Sequence, residues 1–256
     1  MTALLASIGA VSLRVTADAG GMTMVLARLL RSLVPPRIDR AELFRSLRSF
    51  GEQSLPIVIA TGAFTGMIMV LQGAIYVDQF GVYNLVGWYT GFATFREIGP
   101  MLIGLMFSGR VGANNASELA TMRVTEQIDA LRVLAIDPYE ALILPRTISM
   151  IVALGALVIY GNLVAILSGA LCAKLLLNVE YGFFFQSLVE RLGPADFLIG
   201  VEKALLYGLV VAIVSTHFGL TARGGASGVG RAVNAQVVAA AVGLFLVDYL
   251  MTSVVH

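Results

Sequence analysis

From Leu55 to Val77 the chain runs for 23 residues without a charged side chain. About 20 apolar residues suffice to cross the hydrocarbon core of a bilayer as a helix. A run of that length, repeated along a chain, leaves few folds open. Apolar runs recur over Leu85–Gly109, Thr147–Ala173, Phe197–Ala222 and Ala232–Val255. Composition points the same way: 58% of the residues are hydrophobic and 13% are charged, against about 25% charged in a soluble domain. So few charges cannot cover a globular surface in water. The expected fold class is an all-α polytopic membrane protein.

Within it, residues 1–50 read as a separate basic region, with seven arginines (14, 28, 31, 37, 40, 45 and 48) against three acidic residues. Val11, Val15, Met22, Leu26, Leu29, Leu30 and Leu33 recur at helical spacing between them, and Arg14 and Asp18 sit four apart, close enough to pair. Such a helix lies in the membrane interface rather than across it. Pro35-Pro36 is expected to end it, and Asp39 to cap a second short helix. No basic stretch precedes the apolar start MTALLASIGAV and no cleavage site follows, so no removable signal peptide is expected.

Residues 51–256 are then a five-helix membrane domain, with spans near 54–78, 86–112, 143–174, 196–222 and 232–255 and a charged helix over 117–136. The second span holds Arg96-Glu97 and then Gly99-Pro100, so it either starts near Thr94 or breaks at the charged pair. Gly62-xxx-Gly66 lets two helix backbones meet closely, within one chain or between two copies. The odd number of spans, without an internal repeat, favours two copies about a symmetry axis.

Charge placement orients the domain. Segments 1–50, 110–146 and 223–231 hold 7, 4 and 2 of the 17 basic residues, while 78–95 and 174–195 hold only Lys174 and Arg191. By the positive-inside rule the N-terminus is cytoplasmic and the C-terminus outside. Arg96, Glu97, Glu202 and Lys203 then lie at similar depth near the outer ends of their spans. Charges there usually face a partner or a wet cavity, so Glu97 and Lys203 are expected to line one outward-facing cavity. Snorkelling to the interface is the alternative.

From Ser117 onward Glu118, Arg123, Glu126, Asp129 and Arg132 alternate with Leu119, Met122, Val124, Ile128 and Leu131, as on a helix with one apolar face. Asp137-Pro138 stops it. Catalytic signatures are missing. Nothing matches G-x-x-x-x-G-K-[ST] or G-x-S-x-G, and His217, His256 and the single Cys172 make no local metal motif. The glycines at 224, 225, 228 and 230 read as a flexible turn between two spans. No enzyme activity, catalytic residue, metal or nucleic-acid partner is expected.

REIGP at 96–100, SGRVG at 108–112 and the ELATMRVTEQIDAL…DP run at 118–138 resemble the permease subunits of Mla-type ABC lipid transporters, the MlaE/YrbE family associated with MCE proteins. GAFTGMIMVLQG at 62–73 and GASGVGRAVN at 225–234 match further, and the likeness covers residues 10–255 in order. The resemblance implies an inner-membrane homodimer bound to a cytoplasmic P-loop ATPase, which holds ATP and magnesium, so that this chain has no cofactor of its own. It also implies a periplasmic MCE-domain protein over the outer face, with phospholipid passing between that protein and the cavity. Glu118, Arg123, Glu126, Gln127, Asp129 and Asp137 would belong to the ATPase-coupling helix. Met69, Tyr76, Val77, Phe80, Arg96, Glu97 and Lys203 would line the lipid cavity. Phe80 stands where the family often carries tyrosine, which removes a hydroxyl. The other classes in play are an ATP-independent carrier, which usually shows inverted repeats with broken helices in both halves, and a scaffold with no transport role.

Overall fold

A computed structural model describes residues 2–32, 39–81 and 83–255, with the side chains of 2–8, 10, 11, 14, 76–78, 80, 84 and 255 left aside. Among the described residues every regular element is helical. Helix α1 runs over Thr2–Ser32 and α2 over Arg40–Glu52. Asp39 caps α2 as its side chain suggests, its Oδ1 accepting from the amides of Ala41 at 2.9 Å and Glu42 at 3.4 Å. Pro35-Pro36 lies outside the described residues.

Helix α3 (Leu55–Phe80) packs along α8 (Leu144–Leu177), the central element, which also meets α2 and α10 (Pro194–Thr221). The N-terminal half of α8 buries Met150, Leu154, Leu157 and Val158, but its C-terminal half packs in reverse of a soluble helix. Gly161, Ala165, Gly169 and Ala173 form its buried stripe, while Leu163, Leu167, Leu171 and Leu175 stand at least half exposed. Lipid is as apolar as leucine, so association rests on close backbone approach rather than on hiding large side chains. A methyl on Gly62 would run into the Gly161 carbonyl, and one on Gly66 into the Ala165 carbonyl. The Gly62-xxx-Gly66 face is therefore used within the chain, and it no longer argues for contact between copies.

The second expected span neither starts at Thr94 nor breaks. Helix α4 (Val86–Ala93), a π-helical turn (Thr94–Ile98), α5 (Gly99–Phe107), a second π-turn (Ser108–Gly112) and α6 (Ala113–Val124) follow one another in right-handed helical backbone. Pro100 has no amide for the carbonyl four residues back and its ring crowds that carbonyl. The wide turn just before it, closed by the Gly99 amide on the Thr94 carbonyl, makes the room. A third π-turn, Tyr139–Ile143, precedes Pro145 in the same way.

Three boundaries differ from expectation. The charged helix over 117–136 is two pieces, α6 and α7 (Gln127–Val133), because Glu126 turns the chain at φ 61°. The glycine-rich segment after Arg223 is not a long flexible turn: Gly224 and Gly225, at φ 89° and 66°, make a tight one, and α11 (Gly225–Val255) begins at once. A short helix, α9 (Tyr181–Arg191), lies between α8 and α10, its Phe184 carbonyl and Ser187 hydroxyl pressed against Gly87 of α4.

Four segments are long and apolar enough to cross a membrane: Leu55–Ile75, Tyr139–Leu177, Pro194–Thr221 and Gly225–Val254. The interrupted run Val86–Gly112 reaches about 40 Å at 1.5 Å per residue, the length of a fifth crossing.

Candidate functional site

The charged residues inside the bundle converge near the end that carries α9. Lys203 of α10 is fully buried, and its ammonium uses all three donors: Glu97 Oε2 at 2.6 Å, Asp248 Oδ1 at 2.9 Å and Thr252 Oγ1 at 2.8 Å. Tyr207, one turn further along α10 and also fully buried, donates to the same Asp248 oxygen at 2.6 Å. Thr252 donates back to Glu97 Oε1 at 3.2 Å. Glu97 and Asp248 keep about a third and a quarter of their side-chain surface open, at 34% and 23%.

Local sequence explains the convergence. Lys203 and Tyr207, like Asp248 and Thr252, are four residues apart, so each pair shares a helix face. Glu97 sits in the π-turn that Pro100 enforces, and an added residue in one helical turn rotates the side chains before it. Gly200 lets α10 approach that turn until a methyl there would strike the Phe95 carbonyl. Two carboxylates against one ammonium leave the cluster with one net negative charge when all three are ionised. An ionised, hydrogen-bonded cluster of this kind can hold a polar group that enters an otherwise apolar membrane body.

Arg96 points elsewhere, to Asp196 at the start of α10 (3.3 Å) and over the Phe92 ring. Met69 is buried at 8% exposure. Tyr76 and Val77, and Phe80 with them, complete the backbone of α3, and their side chains lie outside the described residues. Cavities of about 540 and 530 Å³ have none of the cluster's five residues in their walls, although Val247, next to Asp248, lines the second. Of the expected cavity residues the structure brings together Glu97 and Lys203. Asp248, Tyr207 and Thr252 join them without having been assigned a role from sequence.

At the other end of the bundle α6 and α7 form a bent pair. Arg123 spans the bend to Asp129 at 2.7 Å, and Arg132 reaches the same carboxylate at 3.0 Å. Glu118 turns inward to Arg146 of α8 at 2.8 Å, and Arg146 also binds Glu42 of α2 at 3.2 Å and Asn115 at 3.3 Å. Asn115 donates in turn to Ser215 of α10 at 2.9 Å. Asp137 accepts from the Tyr139 amide at 2.8 Å. Glu126 and Gln127 project freely, and beside them Val133, Leu134 and Ile136 are 86%, 69% and 41% exposed. That apolar patch beyond the end of α7 went unassigned in the sequence reading.

Residues 43–254 match the Permease MlaE family. The chain belongs to the MlaE permease family. The Probable ABC transporter permease protein of Rickettsia conorii is 34% identical over 246 residues, covering 96% of this chain and 95% of its own length. A Synechocystis protein named in the same way is 31% identical over 216 residues, 84% of this chain and 82% of its own. Arabidopsis thaliana supplies a plant relative, Protein TRIGALACTOSYLDIACYLGLYCEROL 1, chloroplastic, at 30% identity over 230 residues, 90% of this chain and 66% of its own length. This MlaE-family member is a transporter permease subunit embedded in a membrane.

Proposed function

We propose that this permease moves phospholipid, or a similarly hydrophobic molecule, between the bacterial inner membrane and a periplasmic MCE-domain protein. In this reading it works as a homodimer powered by a separate cytoplasmic P-loop ATPase. Five helices cross, with the N-terminus cytoplasmic, as the uneven spread of basic residues supports. The cluster of Glu97, Lys203 and Asp248 then faces the outer leaflet. One chain supplies one wall of the lipid cavity and its copy the other. Acyl chains take apolar surface worth ~0.8 kcal/mol per CH₂ buried, and the head group meets the charged cluster.

The observation that carries this reading is the single helical run from Val86 to Val124. It holds Glu97 near one end and leads directly into α7 at the other. Because α6 is tied to α2, α8 and α10 through Arg146 and Asn115, a push on α7 reaches the elements that place Lys203. The ATPase, where ATP and magnesium are held, would supply that push. The plant relative's name, which is that of a galactolipid, accords with a lipid cargo.

The test is a mild-detergent pull-down of the tagged chain with its native neighbours, read by mass spectrometry for proteins and lipids together. Recovery of a P-loop ATPase and an MCE-domain protein with bound phospholipid is expected. A chain recovered without any nucleotide-binding subunit would overturn the proposal.

A further inference from the structure

A second concave site lies at the α7 end of the bundle, far from the Lys203 cluster. Seventeen residues of α10 separate Lys203 from Leu220, which borders it, or about 25 Å of helix. Its mouth is a cavity of about 540 Å³ between the last turns of α1 and the Ala135–Glu140 segment, walled by Arg28, Arg31, Arg132, Asp137, Tyr139 and Glu140. A smaller cavity of about 240 Å³ shares Arg28, Arg132 and Tyr139 with it and continues inward past Met24, Val25, Ile128 and Leu220. Arg123, His217 and Thr221 also line this inner part, so a charged mouth opens onto a slot that is cationic on one side and apolar on the other.

The charges in the mouth do not balance. Arg132 is engaged by Asp129 at 3.0 Å, and Asp137 Oδ1 by the Tyr139 amide. Arg28 and Arg31 form no ion pair with any described residue, and neither does Glu140. Because Asp129 is shared by Arg123 and Arg132, the two connected cavities set four guanidinium groups (Arg28, Arg31, Arg123 and Arg132) against three carboxylates (Asp129, Asp137 and Glu140). Arg28 is held in place all the same, its guanidinium 5.4 Å from the centre of the buried Tyr139 ring. The end of α1 favours a cation in its last turn, which accounts for Arg31 but leaves Arg28 without a carboxylate partner among the described residues. One monoanion would bring the site to neutrality, and paired guanidinium groups suit the oxygens of a phosphate. Helix α1 also turns Leu13, Met24 and Leu30 outward, each more than half exposed, as a helix lying on a membrane does.

We propose that this cavity binds the phosphodiester headgroup of an anionic glycerophospholipid from the leaflet on which α1 lies. The first carbons of one acyl chain enter the slot beside Met24 and Leu220. This lipid is a bound component of the permease and not its cargo. Its place against α1 and the segment following α7 makes the seating of α7 depend on the lipid.

Native mass spectrometry of the full chain, with phosphatidylglycerol or phosphatidylcholine added to the detergent, tests this. The expected result is one tightly retained phosphatidylglycerol, bound on the order of tenfold more weakly by the R28Q/R31Q chain and to an intermediate degree by R28K/R31K. R45Q/R48Q, which alters exposed arginines of α2, should retain it fully. Should the double glutamine chain not purify, R31Q alone carries the test, because Arg31 is exposed and forms no ion pair with any described residue. Equal retention by the wild-type and glutamine chains overturns the proposal. So does displacement by millimolar glycerol phosphate with no need for acyl chains, which would make this a site for free phosphate esters. Loss of a copurifying ATPase from R28Q/R31Q with lipid retention unchanged would assign the arginines to a protein interface and overturn it equally.

Discussion

Lys203 has no exposed surface, so Glu97, Asp248 and Thr252 alone take its three donors. Removing one member of such a group leaves an uncompensated charge, which costs far more than the assembled group contributes. A Lys203→Met chain would set two carboxylates against each other around an apolar side chain. It is expected to lose about 3 kcal/mol or more, seen as a clear fall in the melting temperature of the detergent-solubilised protein. Adding E97Q and D248N to the same chain should recover most of that loss, because neutral amides need no counter-charge. A triple variant no more stable than the single one would show that the ammonium is held for its packing rather than its charge. The Glu97–Lys203 part of this cluster was legible in the sequence, since both are charged residues inside apolar runs, where a partner of opposite sign or a wet cavity is expected. Asp248 was not. Its depth depends on where α11 starts, and the tight turn at Gly224–Gly225 begins that helix seven residues earlier than hydropathy suggests.

The elements divide into those marked by a singular residue and those set by the company they keep. Asp39 announces α2, and the prolines at 100 and 145 announce an interruption, though not that a π-turn absorbs each one without a break. α9 was hidden because a short amphipathic segment with charged ends reads as a loop until α4 offers it Gly87. The same dependence on neighbours gives opposite signs to two similar substitutions. Gly51 has open space around it, so Gly51→Ala should stabilise α2 by up to about 1 kcal/mol through helix propensity. Gly66→Ala gains the same propensity but drives a methyl into the Ala165 carbonyl, and α3 must move off α8; a net loss of about 1–3 kcal/mol is expected. Paired thermal melts of the two variants decide the point, and equal shifts would mean the α3–α8 contact is looser than the structure has it. Ala135 offers a third case. It takes φ 57° where the Ala135 and Ile136 amides bond back to Arg132 and Leu131, the C-terminal position that usually holds glycine. Ala135→Gly should therefore be neutral or gain about 1 kcal/mol, against the usual loss for glycine placed in a helix.

At the scale of the whole molecule, the chain offers two different ends joined by one stiff run. Hydropathy and the placement of arginines were enough to expect that division, because lipid and the positive-inside rule act on composition and need no contact map. Which polar residues at the α7 end are free was not readable. Glu118, Arg123, Asp129 and Asp137 look like a solvated charged face, yet each is bound within the chain. Replacing Asp129 would therefore disturb the bend between α6 and α7 as well as any partner. The residues that stand free are Glu126, Gln127, Val133 and Leu134, and an exposed apolar pair beside a polar rim is the usual make-up of a docking site. Val133→Asp with Leu134→Asp should leave the melting temperature within about 4 °C of wild type, since surface changes away from packed contacts are worth about 0.5 kcal/mol or less each. The same variant should lose the copurifying ATPase, while Glu118→Gln should lower the melting temperature, through Arg146, and leave the ATPase bound. Retention of the ATPase by the double aspartate chain would place the coupling surface elsewhere on the molecule. Its loss with the fold intact would fix α7 as the point where force enters the membrane body.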